Sequence, residues 1–436
     1  MKYDIAVIGG GPAGYTAAIV AGMSGARVVL FEKEHLGGIC LNYGCVPTKA
    51  ILKSAVTYRH IRKADIIGIK SENVGFDASV VIERAKNVIA KLNKGIEYLL
   101  NKAGVTIVKD KAEITSPHYV KAADKSFECE NIIIATGARP RKIPNVLIDG
   151  DKIMNYKDAL FFKTLPKDMA VIGSGAIGME FAEIYSSFGS RITMIEKEER
   201  ILPAEDKDVS DLMKRILTKR GYRIITGARI TSFVVKDGKV VVSLHDGQDI
   251  VCDKVLVAAG VVGNIEGIGL EKIGVATANG HILTDQDFAT NIDGVYAVGD
   301  VADHPPYLAH KAMHDAKNCV KMLSGKKYLP VDSVFVPSCI YTSPQIASFG
   351  TKSYRAGKRF LMANAKALCD GETDGFIKTY IDNEDNITGA SMIGEGVAEI
   401  IGCYLAMAAK DPAEIIMPHP SLAESITASI EDVVPF

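Results

Sequence analysis

The sequence predicts an α/β protein with two Rossmann-like dinucleotide-binding domains and a C-terminal α+β domain containing an antiparallel sheet. The first observation behind this is an internal repeat: the segment closing at Glu34 superimposes without a gap on the segment closing at Glu198. Val7-Ile8-Gly9 lies over Val171-Ile172-Gly173, Gly14 over Gly178, Gly25 over Gly189 and Glu32 over Glu196. The second is a pair of β-branched runs, NIIIATGARP (Asn131–Pro140) and KVLVAAGVVGN (Lys254–Asn264), each ending at glycine. Both read as buried strands whose C-terminal ends meet a ligand. The third is a change of character from about Ser333, where short alternating strands surround helices. The expected division is a first nucleotide-binding domain at 1–140 and 265–330, a second at 141–264, and a third domain at 331–436.

Each repeat reads as strand, G-x-G-x-x-G, amphipathic helix and strand, with an acidic residue where the second strand ends. Gly9, Gly11 and Gly14 form the first loop; Gly173, Gly175 and Gly178 form the second. The first glycine of each set allows a tight turn, the second lets backbone approach a pyrophosphate, and the third lets helix pack against strand. The free N–H groups and positive dipole end of the helix face the phosphates. Glu32 and Glu196 are placed to bond ribose hydroxyls, and a carboxylate at Glu196 would repel a 2′-phosphate, favouring NAD over NADP. Two dinucleotides on one chain imply electron transfer between a flavin and a nicotinamide.

Between these motifs, a charged stretch from about Val80 to Lys102 keeps apolar residues at helical spacing, Val81, Ala85, Val88 and Leu92 among them. The segment TNIDGVYAVGDVAD ends a strand at Gly299-Asp300 and sets a carboxylate at a sheet edge. A net charge of −1 gives no reason to expect nucleic acid or an acidic membrane as partner. No apolar run reaches the roughly 18 residues that span a bilayer, and the chain enters its first strand without a signal-peptide pattern. Eight scattered cysteines suit reduced thiols and a cytoplasmic location.

Cys40 and Cys45 stand apart in GGICLNYGCVPTKA (Gly37–Ala50). Taken alone, their spacing is compatible with metal ligands, a structural staple or a redox pair. A zinc site needs four ligands, and no partner pair is evident; His310 and His314 lack the glutamate of the H-E-x-x-H pattern. A staple would close a very short loop, where a disulfide constrains the unfolded chain least. On an ideal helix the two Cα atoms would be roughly 8–9 Å apart, beyond the usual span of about 4.4–6.8 Å. A bond therefore requires a break, which Gly44 permits, and Pro47 suits the first turn of the helix that follows. A thiol near that helix start gains thiolate character. The redox reading is preferred.

This stretch resembles the pattern G-G-x-C-x-N-x-G-C-x-P-[ST]-K of the pyridine nucleotide-disulfide oxidoreductases. The segments IEKEERILPAED, GNIEGIGLE, LAHKAMHD and MPHPSLAES extend the likeness over nearly the whole chain, towards the branch that oxidises dihydrolipoamide. The resemblance implies FAD, NAD, a homodimer with shared active sites, and a substrate dithiol on a lipoyl carrier protein or domain. Cys40 would be the interchange thiol and Cys45 the flavin-side thiol, with Lys49 near the flavin and paired with Glu180. Asp300 would hold the ribityl chain, and Leu308, Ala309 and His310 would line the flavin. His419 and Glu424 would form an acid/base pair facing the partner's disulfide. Around the two fingerprints the cofactor set extends to Pro12, Ala13, Lys33, Gly38, Ala112, Thr136 and Gly137 for FAD, and to Ala176, Ile177 and Gly260 for NAD.

The chain departs from the family pattern in places. Met417 stands where many relatives have a further histidine, AAGVVGN lacks an arginine common in that loop, and the third domain is short. The alternatives are a related reductase for another disulfide, or a flavin-binding redox sensor without turnover. The intact Cys40/Cys45, Lys49 and His419/Glu424 sets argue against the sensor.

Overall fold

A computed structural model describes residues 2–143, 146–328, 333–353, 355–408 and 415–420. The first fingerprint folds as β1 (Lys2–Ile8), α1 (Pro12–Met23) and β2 (Val28–Phe31). Helices α2 (Gly38–Asn42), α3 (Cys45–Ile61) and α4 (Ala78–Lys102) follow. The chain continues through β3 (Thr106–Val108), β4 (Glu113–Ser116), β5 (Tyr119–Ala122) and β6 (Lys125–Ile134). β1 pairs in parallel with both β2 and β6, giving the order β3-β2-β1-β6-β5-β4. All four residues of β2 are buried, the signature of a parallel strand covered on both faces. Helix α4 begins two residues before the predicted Val80, because the Asp77 carboxylate caps it by accepting from Ser79 and Val80 N–H.

The second fingerprint repeats the plan. β7 (Ala138–Pro140), β8 (Ile153–Met154) and α5 (Tyr156–Leu160) lead into β9 (Asp168–Ile172), α6 (Ala176–Ser187) and β10 (Arg191–Ile195). Next come α7 (Lys207–Lys219) and β11 (Arg223–Ile225), then a three-stranded meander of β12 (Ile230–Lys236), β13 (Lys239–Leu244) and β14 (Asp249–Cys252). β15 (Lys254–Val257) completes the sheet β11-β10-β9-β15-β8. β16 (Val261–Gly263) then pairs with β7, closing the second unit where it began.

After α8 (Leu270–Ile273), β17 (Thr277–Ala278) and β18 (His281–Ile282), the chain rejoins the first sheet through β19 (Val295–Ala297), parallel to β6. Helix α9 (Ala309–Leu323) packs on α1. The last unit holds β20 (Ser338–Ile340), β21 (Gln345–Gly350), β22 (Ala356–Phe360), α10 (Ala365–Asp370), β23 (Phe376–Ile381), β24 (Ile387–Gly394) and α11 (Val397–Ala408). Its sheet, β20-β21-β24-β23-β22, is antiparallel throughout, as the alternating pattern after Ser333 predicts. One apolar core runs through all three units, joining Ile51 of α3, Tyr185 of α6, Met213 of α7 and Phe376 of β23.

The third glycine of each loop is where sequence constrains packing most. A Cβ on Gly14 would lie 1.8 Å from the Gly9 carbonyl oxygen, and one on Gly178 would lie 2.0 Å from that of Gly173. At Gly175 a Cβ would meet nothing within 4 Å. Gly178→Ala should therefore cost about 3 kcal/mol by overpacking, whereas Gly175→Ala should stay within about 1 kcal/mol of the native chain. Thermal unfolding of the two variants checks this, and equal midpoints would contradict it.

Candidate active site

Cys40 lies inside α2 and Cys45 is the first residue of α3. Tyr43 and Gly44 break the helix between them, Gly44 at φ −125° and ψ −113°, and the break turns two thiols on separate turns towards each other. The Cys40 thiol donates a hydrogen bond to Cys45, and this bond is the largest cause lowering Cys45 to about 7. Burial opposes the shift, while the charges of Lys49 and His419 add to it. Cys40 is pushed the opposite way by the same bond, by burial and by the charge on Cys45. The thiolate therefore resides on Cys45, at a helix N-terminus and one turn from a lysine. Asn42 braces the break: its amide donates to the carbonyls of Leu36 (2.9 Å) and Gly38 (2.8 Å), and its oxygen accepts from Asn93 of α4 (2.9 Å).

The expected Lys49–Glu180 pair is present, with Nζ at 3.0 and 2.9 Å from the two carboxylate oxygens. Glu180 also accepts the backbone N–H of Tyr341 at 3.0 Å, and the Tyr341 ring lies 4.6 Å from Nζ. Burial alone would lower Lys49, but Glu180 and Cys45 outweigh it and hold the ammonium charged.

His419 reaches this cluster from the third unit of its own chain. Its N–H donates to His310 Nδ1 at 3.3 Å, and the His310 Nε2–H donates to the Pro337 carbonyl at 2.8 Å. Tyr341 Oη donates to the Pro420 carbonyl at 2.9 Å. Ile416 and Pro418 are buried, and His419 sits close enough to lower its own chain's Cys45. In the expected homodimer, His419 would face the partner's disulfide. Packing of Ile416 and Pro418 and the Tyr341 bond hold the segment in place. Glu424 lies outside the described residues.

The two cradles carry the geometry a dinucleotide needs. α1 and α6 begin at Gly11 and Gly175 without a side-chain cap, so their first-turn N–H groups have no side-chain acceptor there. A Cβ at Gly11 would come no nearer than 3.8 Å to Gly38, leaving room ahead of Pro12, Ala13 and Gly14. Ahead of Ala176, Ile177 and Gly178 the space is open as well. Glu32 is half-buried and accepts from Gly10 N–H (2.7 Å) and Glu34 N–H (2.7 Å). Glu196 is buried and accepts from Ser174 N–H (2.8 Å), Ser174 Oγ (2.6 Å) and Glu198 N–H (3.0 Å). Asp300 is raised to about 6 by burial, opposed by the Lys311 charge. Leu308 is the uncapped N-terminus of α9, followed by Ala309 and His310. FAD in the first cradle and NAD in the second fit these donors and spaces.

Other expected residues take less direct places. Thr136 Oγ1 donates to the Asn264 carbonyl (2.8 Å) and Asn264 N–H to Gly137 (2.9 Å), so this loop is clasped to the second connection. Gly260 accepts Arg141 N–H at 3.0 Å where β15 turns towards β16. Lys33 is exposed beyond Glu32, and Ala112 is packed in the core beside the first sheet. Sequence reasoning missed Tyr341, Asn42 and Ser174. Asn42 is part of the quoted cysteine pattern and was legible there; Tyr341 belongs to no motif.

Two nucleotide cradles joined to a polarised cysteine pair define a class: the disulfide oxidoreductases that work between a flavin and a nicotinamide. The chain belongs to the pyridine nucleotide-disulphide oxidoreductase family, whose model matches residues 3–316, with the family's dimerisation domain at 336–430. FAD and NAD are the cofactors of this chemistry. A dihydrolipoyl dehydrogenase of Rhizobium etli is 38% identical, covering 99% of this chain and 98% of the relative. One from Bacillus subtilis is 36% identical, covering 98% and 96%. Among solved structures, LpdA of Mycobacterium tuberculosis superimposes with a TM-score of 0.87 at 27% identity, covering 99% of each chain. The HOCl-induced flavoprotein disulfide reductase RclA of Escherichia coli gives 0.83 at 25%, covering 98% and 99%.

The polarisation of the pair gives a titration. Below about pH 7 Cys45 is protonated, and above it the thiolate accumulates. In reduced Cys40→Ser, where serine can still donate the hydrogen bond, ultraviolet thiolate absorbance should rise through about pH 7. In reduced Cys45→Ser, burial keeps Cys40 protonated to more alkaline pH than an ordinary thiol. Difference spectra against the double variant measure both, and the reverse order would exchange the two roles.

Proposed function

We propose that the protein oxidises dihydrolipoamide, carried on a lipoyl protein or domain, to lipoamide and reduces NAD. The observation that carries this reading is the Cys40–Cys45 pair, with the thiolate held on Cys45 between Lys49 and His419. The names of the relatives from Rhizobium etli and Bacillus subtilis support the lipoyl substrate. FAD would be held by Gly9 to Gly14, Glu32, Gly38, Asp300 and the start of α9, and NAD by Gly173 to Gly178, Glu196 and Gly260. When bound, FAD would supply two-electron transfer between the reduced cysteine pair and NAD. The domain division given by the sequence is proposed to correspond to these roles, with 331–436 forming a homodimer interface.

The chain's own residues account for the thiol chemistry. His419 takes a proton from one substrate thiol, since the thiolate is the attacking species. That thiolate attacks the Cys40 sulfur, the Cys40–Cys45 bond breaks, and Cys45 leaves as a thiolate stabilised by Lys49 and the start of α3. The second substrate sulfur then attacks the first, closing the lipoamide disulfide, and its proton passes to the departing Cys40 sulfur. Two electrons have then passed from the substrate dithiol to the protein pair. Lys49 stays charged because Glu180 pairs with it, so it can hold negative charge at Cys45 without itself titrating at neutral pH.

Mixing the purified protein with dihydrolipoamide and NAD should generate NADH absorbance; turnover only with a different disulfide substrate would replace the lipoyl reading. NAD should be preferred to NADP, and Glu196→Ala should narrow that preference; a native enzyme faster with NADP would overturn the role given to Glu196. Cys45→Ser and His419→Ala should each abolish turnover. Co-expressed as mixed dimers they should recover roughly a quarter of native activity, because His419 of one chain would serve the partner's pair. No recovery despite confirmed mixed dimers would assign the histidine to its own chain's pair.

A further inference from the structure

Tyr156 is the first residue of α5, at the entrance to the second nucleotide unit. Its ring belongs to the core cluster that also holds Ile51, Met154 and Leu160, and the residue is 5% exposed. Its hydroxyl is sealed from solvent and has no hydrogen-bond partner among the described residues. Native structures seldom leave such a group unpaired, because its desolvation is then uncompensated. Packing alone does not explain it, since phenylalanine would fill the same core space without the orphaned group.

The surroundings of the hydroxyl indicate what it serves. Burial raises the Tyr156 phenol, and the charges of Asp300 and Glu34 raise it further, so it lies within electrostatic reach of both. Asp300 lies in the first cradle, at the end of the strand that rejoins the first sheet, and Glu34 follows the ribose-facing Glu32. Neither carboxylate accepts the phenolic proton: Glu34 Oε1 accepts instead from Tyr43 Oη at 3.1 Å. Lys157, the next residue, lies 4.6 Å from the Tyr43 ring, so α5 is docked against the cysteine segment of the first unit. The α5 backbone is fixed by a capping box, in which Asn155 accepts Lys157 N–H (2.7 Å) and Asp158 accepts Asn155 N–H (3.0 Å). The hydroxyl is thus a rigidly held donor without an acceptor among the described residues, on a helix docked against the cysteine segment of the first unit.

We infer that Tyr156 Oη donates a hydrogen bond to an oxygen of bound FAD, so that the second nucleotide unit supplies a ligand to the cofactor of the first. This rests on the flavin assignment made above. The phenol stays protonated throughout the working pH range, because burial and two nearby carboxylates all oppose its ionisation. Tyr156 is therefore a positioning residue that acts by donation alone and transfers no proton.

The test uses full-length protein stripped of FAD and titrated with FAD, followed by flavin fluorescence, for the native chain and Tyr156→Phe. Loss of one buried hydrogen bond should weaken FAD binding by roughly tenfold. Thermal unfolding supplies a second readout, in which the sign depends on the cofactor. Without FAD, Tyr156→Phe removes an orphaned hydroxyl and should match or exceed the native midpoint; with saturating FAD it should fall below it. A purely structural tyrosine would shift both midpoints in the same direction. Equal FAD affinity, or equal shifts with and without FAD, would overturn the inference and leave the flavin assignment standing. Failure of the native apoprotein to bind FAD would overturn both.

Discussion

The carboxylate of Glu180 is where the three units of this chain meet. It projects from α6 of the second nucleotide unit, pairs with Lys49 on α3 of the first, and accepts the backbone N–H of Tyr341 from the third. A buried charge of this kind is held only by its partners, and removing one partner from such a pair typically costs about 3–5 kcal/mol. The reactive cysteine is one helical turn from the lysine so held. One group therefore ties the electrostatics of the thiol pair to the junction of the three units.

Further polar contacts extend the same junction along α6 and α7. Glu183, one turn beyond Glu180, pairs with Arg59 near the end of α3 and with Arg220 after α7, and Arg220 also donates to the Ser343 carbonyl of the third unit. Asp206, the cap of α7, accepts from Tyr380 Oη at 2.6 Å and Lys378 Nζ at 3.1 Å, both on β23. Its carboxyl is held below the ordinary range because Tyr380, the Asp208 N–H and Lys378 together outweigh the cost of burial. The second unit thus forms the hub: α6 faces the cysteine helix, and α7 faces the antiparallel sheet. Residues distant in sequence share the same few carboxylates.

What was legible in the sequence follows from how local the signal is. The two G-x-G-x-x-G loops, the period of α4 and the alternation after Ser333 are short-range patterns, and each appears as an element at or close to its expected place. Lys49–Glu180 joins residues far apart in sequence, and it was accessible only because the family resemblance supplied both ends. Tyr341 and Tyr156 were not legible, since neither sits at a fixed offset from a motif and their roles arise from how separate units pack. The chain that supplies His419 depends on whether the contacts of Ile416, Pro418 and Pro420 close at home or on a partner, which residue spacing does not encode.

The duplicated cradle also sets two different timescales. Glu32 keeps part of its carboxylate open beside the first helix start, whereas Glu196 is enclosed by Ser174 and already bonded to Ser174 and Glu198. Glu32 carries one bond on each oxygen and Glu196 two on Oε2 and one on Oε1, so an incoming ribose finds more free acceptor capacity in the first cradle. Each hydrogen bond shared rather than gained forgoes about 1 kcal/mol, or roughly a fivefold shorter stay. The same motif, repeated, thus leaves its carboxylate more open in the flavin cradle than in the NAD cradle.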